Sequence, residues 1–192
     1  NIAFAGFTAP KILWVKENEP ENFAKICKIM LPKDYLAYCL TGVHCCDYSD
    51  ASGMLLLDVK NKCWSEQMLE ICGVSREQMP ELFESYEKVG TLKPEVAKEL
   101  GLPETCLVAA GAGDNAAAAV GTGVVEDGKA FTTIGTSGVV FAHSSDISID
   151  PKGRVHTFCC AVPGAWHVMG VTQAAGYSLA WFQENIGTEY AR

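Results

Sequence analysis

The sequence lacks any apolar run approaching the roughly 18 residues that a membrane-crossing helix needs, so no membrane partner is expected. It has no basic cluster longer than two residues and a net charge of −8, against the basic face that a nucleic-acid binder shows. It has no Asn-x-Ser/Thr acceptor, no C-x-x-C pair and no charged-then-apolar leader at its start. Nine cysteines are present, an odd count with two adjacent pairs, Cys45-Cys46 and Cys159-Cys160. That pattern argues against both a disulfide framework and a zinc ribbon and reads as reduced, mostly buried thiols in a cytoplasmic protein. No initiator methionine precedes Asn1. What remains is an ordinary globular composition, 48% hydrophobic and 20% charged.

The chain is organised around Gly111 to Gly138, GAGDNAAAAVGTGVVEDGKAFTTIGTSG. Cys106 to Ala110 reads as a short buried strand, Gly111 to Gly113 as a break, and Asp114-Asn115 as the start of an alanine-rich helix with Asp114 at its cap. Lys129 to Ile134 and Val139 to His143 read as strands joined by Gly135-Thr136-Ser137-Gly138, a hairpin whose turn is rich in donors. An Asp at a helix start is first of all a cap, and a GTSG turn is first of all a turn. Together, though, an acid at a helix start and a donor loop could serve two ends of a phosphoryl transfer.

Two competing motifs overlap this stretch and fail. Gly111-x-Gly113-x-x-Ala116 resembles a dinucleotide fingerprint, but that motif wants an acid about 20 residues on. No acidic residue lies between Gly128 and Ser145. Gly123 to Ala130 nearly spells a phosphate-cradling loop, but Ala130 replaces the metal-binding hydroxyl, and Glu126 and Asp127 would repel phosphates.

Before this stretch the chain reads as mostly helical. A helix begins around Pro10, is interrupted from Asn18 to Pro20, and continues over Glu21 to Ile29 with Phe23, Ile26, Cys27 and Met30 as an apolar stripe. Further helices are expected over Tyr35–Leu40, after Ser65 through Cys72, and from Pro94 to Leu100, with Gly42, Gly73 and Gly101 ending them. Ser75-x-x-Gln78 resembles a capping box. Asp47 to Gly53 reads as a polar, solvating loop ahead of a strand over Met54 to Val59. After it, Val155 to Ala161 and Ala165 to Val171 form a second hairpin around Pro163-Gly164. Gln173 to Ile186 reads as an amphipathic helix bearing Ala175, Leu179, Phe182 and Ile186 on one face. His156 and His167 read as partly buried, hydrogen-bonded histidines rather than ligands. Helices give way to hairpins near Glu126-Asp127-Gly128, the expected domain boundary.

Several segments in order resemble the FGGY carbohydrate kinases: Gly6 to Asn18, Leu31-Pro-Lys-Asp34-Tyr, Asp47-Tyr-Ser-Asp50-Ala-Ser-Gly53, Gly111-Ala-Gly-Asp114-Asn115 and Gly135-Thr-Ser-Gly138. The wording is most similar to the members that act on D-xylulose. The resemblance implies an α/β, actin-like (ribonuclease H-like) ATPase fold, present as parts of two domains. Residues 1–127 would be the C-terminal half of the sugar-binding domain, and 128–192 the start of the ATP-binding domain. The chain would thus be a central piece of a longer kinase, inactive alone and with apolar surface uncovered.

The reaction implied is ATP-dependent phosphorylation of a ketopentose, D-xylulose to D-xylulose 5-phosphate, with ATP and Mg²⁺ as cofactors. Asp114 would be the catalytic base, and Asp114 with Asn115 would bind the sugar. Gly135, Thr136, Ser137 and Gly138 would approach the ATP phosphates, with no metal ligand within this chain. A sugar hydroxyl is a poor nucleophile near neutral pH, so a base helps by about 10²–10⁴-fold. A helix start suits the charge that such a base carries. Alternatives are another acceptor, such as gluconate, ribulose, fuculose or glycerol, and a non-catalytic actin-like regulatory protein with no use for a carboxylate beside a sugar. A homodimer is possible; the sequence does not fix it.

Overall fold

The structure, a computed structural model, describes residues 1–186. Helix α1 (Thr8–Asn18) carries Pro10 in its first turn and buries Ala9 and Ile12. Helix α2 (Pro20–Phe23) follows and stops after one turn. The stripe expected to continue the helix to Ile29 is therefore buried in part without being helical. Its backbone bonds go elsewhere: Ile29 N–H donates to the Gln78 carbonyl at 2.9 Å, and Gln78 Nε2 donates to the Ile26 carbonyl at 2.7 Å. A tertiary partner replaces the i−4 ladder, which side-chain periodicity alone does not reveal.

Helix α3 (Pro32–Thr41) has proline at its first position, and Asp34 Oδ2 accepts from the Leu31 N–H at 3.1 Å. Strand β1 (Cys45–Asp47) leads directly into the short helix α4 (Tyr48–Ala51). The segment read as a solvating loop is instead a packed turn: Asp47, Ala51 and Ser52 are fully buried and Ser49 is buried. The strand expected over Met54 to Val59 shrinks to β2 (Leu57–Asp58), paired with β3 (Cys63–Trp64). Helix α5 (Glu66–Cys72) starts on its Ser65 cap, and the Ser75–Gln78 capping box forms. Strand β4 (Glu81–Phe83) pairs parallel with β1.

Strand β5 (Lys88–Thr91), helix α6 (Pro94–Leu100) and strand β6 (Leu107–Ala109) follow, with β5 and β6 antiparallel. Strand β6 is not the buried strand expected, for Leu107 is 63% exposed. Helix α7 (Asp114–Gly121) begins one residue earlier than capping by Asp114 requires. Gly113 is the cap and Asp114 the first helical residue.

The remaining strands form one antiparallel sheet in the order β7–β8–β10–β9: β7 (Ala130–Ile134), β8 (Gly138–Ser144), β9 (His156–Cys159) and β10 (Trp166–Thr172). The expected hairpin is there, with Ile134 opposite Gly138 and Gly135 to Ser137 as its turn. Helix α8 (Gly176–Ile186) then lies with Leu179, Trp181, Phe182 and Ile186 all at least 44% exposed.

Packing joins the helical part to the sheet. Cys159 of β9 belongs to the largest apolar cluster, with Met54, Leu56, Trp64 and Leu69. Ala119 of α7 and Val124 pack with Phe141 of β8, Cys160 and Ala165. All nine cysteines are free thiols, five of them buried. His156 and His167 are more deeply buried than expected, at 7% and 3% exposure. His156 stands edge-on to Phe4 and Phe7, and its Nδ1 has no hydrogen-bond partner among the described residues.

Candidate active site

Asp114 stands exposed at the start of α7, where helix geometry aims its carboxylate outward from the first turn. Its Oδ1 accepts from the Asn115 N–H at 2.7 Å and from Asn115 Nδ2 at 3.0 Å. Both residues line a cavity of about 160 Å³, with Asp50 and Ser49 of α4, His167 and Met169 of β10 and the Phe7 and Phe158 rings also on its wall. This is a small, mixed apolar and polar hollow, fit for a small polyol rather than a large ligand.

The acid–base character of the wall is set by burial. Asp50 is pushed up to about 6, first by burial and then by the Asp47, Asp34 and Asp114 carboxylates, with Lys33 pulling the other way. Burial also holds His167 down at about 4, so its ring is neutral at pH 7. A Cβ placed on Gly113 would lie 3.4 Å from Asp50 Oδ1, so α4 and the start of α7 meet closely.

Behind this wall lie two buried carboxylates, Asp34 and Asp47, with the partly exposed Lys33 between them. Lys33 Nζ sits 2.9 Å from Asp34 Oδ1 and 3.0 Å from Asp47 Oδ1. The Asp47 contact is an ion pair without hydrogen-bond alignment, since that oxygen accepts no hydrogen bond. Burial acts to lower the Lys33 ammonium, but the Asp47 and Asp34 carboxylates outweigh it and the net shift is upward. Lys33 also donates to the Ala110 carbonyl at 3.0 Å, and Ser49 Oγ accepts from the Gly113 N–H at 3.0 Å.

The Gly135–Gly138 turn does not line this cavity. It is exposed and docked on the start of α8: the Ala175 N–H donates to the Thr136 carbonyl at 2.8 Å, and the Gly176 N–H to the Gly135 carbonyl at 2.9 Å. Strand β10 links the two places, for Met169 is on the cavity wall while Thr172 pairs with Gly138. Three strand residues span about 10 Å. Among the described residues, the Thr136 and Ser137 N–H groups donate to no backbone carbonyl, leaving them free for an oxyanion. Also among the described residues, no group of three or more His, Cys, Asp or Glu could hold a metal ion. No helix there is long and apolar enough to cross a membrane.

Asp114 and Asn115 thus come together in one cavity, with the turn a short way along the sheet. Asp50, Ser49 and Lys33 were not singled out by their residue types. Their signal was positional: Lys33 and Asp34 lie in one of the motif segments, and Asp47, Ser49 and Asp50 in another.

The sequence profile of the FGGY family of carbohydrate kinases, N-terminal domain, matches residues 1–121. The chain is 50% identical over 187 residues to the xylulose kinase of Escherichia coli (strain K12), covering 97% of the chain and 38% of that protein. It is 46% identical to the xylulose kinase of Bacillus subtilis (strain 168), covering 97% of the chain and 37% of the relative. The crystal structure of a "xyloylose kinase" from Brucella ovis superposes with a TM-score of 0.94 at 46% identity, over 98% of this chain and 39% of that one. The chain therefore spans well under half the length of the proteins it resembles. The mixed α/β architecture is the actin-like ATPase fold of the sugar kinases. On the match over 1–121 and these identities, the chain belongs to the FGGY family of carbohydrate kinases.

Proposed function

We propose that the protein containing this chain transfers the terminal phosphoryl group of ATP to a ketopentose, D-xylulose giving D-xylulose 5-phosphate. The observation that carries the proposal is the Asp114 carboxylate, exposed on the wall of a small cavity beside Asn115. The similarity to proteins named xylulose kinases supports the choice of sugar.

In this reading the sugar hydroxyl gives its proton to Asp114 as its oxygen attacks the γ-phosphorus. The bond from that phosphorus to the bridging oxygen breaks, and ADP leaves with the electron pair. Asn115 orients the sugar, and the N–H groups of Thr136 and Ser137, which donate to no backbone carbonyl among the described residues, donate to phosphate oxygens within the Gly135–Gly138 turn. Mg²⁺ belongs to the proposal as an ion carried on the ATP phosphates, which is how this ion commonly reaches such sites. No step assigned to this chain runs through it.

Residues 1–127 form the sugar side and 128–192 the beginning of the ATP side in the same proposal. The family match ending at 121 supports that division.

The test is Asp114→Asn in the full-length enzyme. Turnover should fall by about 10²–10⁴-fold, the usual worth of a positioned base, while calorimetric sugar affinity stays near the parent value. A variant keeping most of its kcat refutes the base. Titrating xylulose, ribulose, gluconate and glycerol in parallel tests the sugar, with xylulose expected to bind tightest.

A further inference from the structure

The turn that delivers Asp114, Ala110 to Gly113, is short, lacks side chains of any size and has positive φ at Gly111. Left to itself such a segment would sample many conformations. It is held at four points. The Ala110 N–H donates to the Glu87 carbonyl at 2.9 Å, and the Ala110 carbonyl accepts from Lys33 Nζ at 3.0 Å. The Gly111 N–H donates to the Ser85 carbonyl at 3.0 Å, and the Gly113 N–H to Ser49 Oγ at 3.0 Å.

Three of the four holders converge on one side chain. Asp47 is fully buried, and its Oδ1 faces Lys33 Nζ at 3.0 Å. Its Oδ2 accepts from the Ser49 hydroxyl, from the Ser49 N–H at 2.9 Å and from the Ser85 hydroxyl at 3.0 Å. Because the Ser49 hydroxyl gives its proton to Asp47, its oxygen is left as an acceptor toward Gly113. A residue at 47 with no acceptor at that place would free the hydroxyl to rotate and lose the orientation. A buried carboxylate with one cation and four donors, the Asp50 N–H at 3.4 Å being the fourth, is costly to assemble and poorly explained as mere stabilisation. It is well suited to fixing a geometry.

We infer that Asp47, through Lys33, Ser49 and Ser85, is the positioning residue for the turn before α7, and so sets where the Asp114 carboxylate stands. Neither Asp47 nor Ser85 lines the cavity, so both act through the turn rather than on the substrate. This rests on Asp114 being the base, but the clamp itself is a statement about the turn and is tested separately.

The test uses the full-length kinase with Ser49→Ala, which removes the holder of the Gly113 N–H and keeps the Lys33, Asp34 and Asp47 charges together. Amide exchange of the peptide spanning 107–117 in the sugar-free enzyme should speed up by about tenfold or more, with peptides of α5 unchanged. Turnover should fall by about tenfold or more, as small misplacements of a catalytic group do. Combined with Asp114→Asn, the Ser49→Ala loss should largely vanish, because a positioning effect has nothing left to position. Unchanged exchange overturns the clamp, and an equal loss of turnover with and without Asp114 overturns its link to the base. Should Ser49→Ala fail to fold, Ser49→Cys, whose sulfur is a weak acceptor toward the Gly113 N–H, carries the same measurements. If Asp114→Asn keeps its turnover, the base reading falls while the exchange result still decides the clamp.

Discussion

At the residue scale, the sharpest chemical feature is Asp50, whose carboxyl is pushed up to about 6 from an ordinary 3.8, chiefly by burial. The folded protein binds that proton more tightly than the unfolded chain. Asp50 therefore supports the fold below about pH 4, and that support is lost as pH rises through about 6. At pH 7.5 the ionised group costs at most about 3 kcal/mol. Asp50→Asn cannot ionise, so it should raise the melting temperature at pH 7.5 and leave it nearly unchanged at pH 4. An equal shift at both values would show that the effect is not one of charge. Asp114 was legible in the sequence because a helix start leaves a local mark: two glycines, an acid, then alanines. Asp50 was not, since DYSDASG reads as a polar loop and the residues set around it, Gly113 and Phe158 among them, are far away in sequence. Lys33 was hidden for the same reason: its partner carbonyl, Ala110, is 77 residues away.

At the scale of elements, the contact between the Gly135–Gly138 turn and the start of α8 is tight enough to test. A Cβ at Gly176 would lie 2.6 Å from the Gly135 carbonyl oxygen. Within a helix, alanine is otherwise about 1 kcal/mol better than glycine, so any harm from Gly176→Ala comes from that contact. Overpacking of this kind costs about 1–3 kcal/mol. In the full-length enzyme KM for ATP should rise by about tenfold, with KM for the sugar little changed. A rise in sugar KM alone would argue against a phosphate role for the turn. Element ends were the most legible part of the fold: Gly42, Gly73 and Gly101 adopt the left-handed conformation that closes α3, α5 and α6. The stretch after Phe23 was not, because Gln78 supplies the bonds that a helix would otherwise have made for itself.

At the scale of the whole molecule, thiol chemistry reports on how the parts close over one another. Burial raises the thiols of Cys45, Cys46, Cys72 and Cys159 and pushes Cys160 up to about 12, while Cys27 and Cys63 lie exposed. Thiolate is the reactive form. Titration of the native chain with a disulfide reagent should thus find Cys27 and Cys63 reacting first, and the five buried thiols only on unfolding. Rapid labelling of Cys159 would mean that the sheet does not pack on the helical part. The exposed apolar side chains of α8 mark a surface that the described residues do not cover among themselves.

Strand β10 runs past both the cavity and the hairpin turn. A strand has a fixed pitch, so the step along β10 from Met169 on the cavity wall to Thr172 beside the turn is a length written in backbone, indifferent to which side chains decorate it. Exchanging wall residues would change the lining of the cavity and leave that step unaltered. Altering the step would take an inserted or deleted residue in β10, a change in the ruler itself.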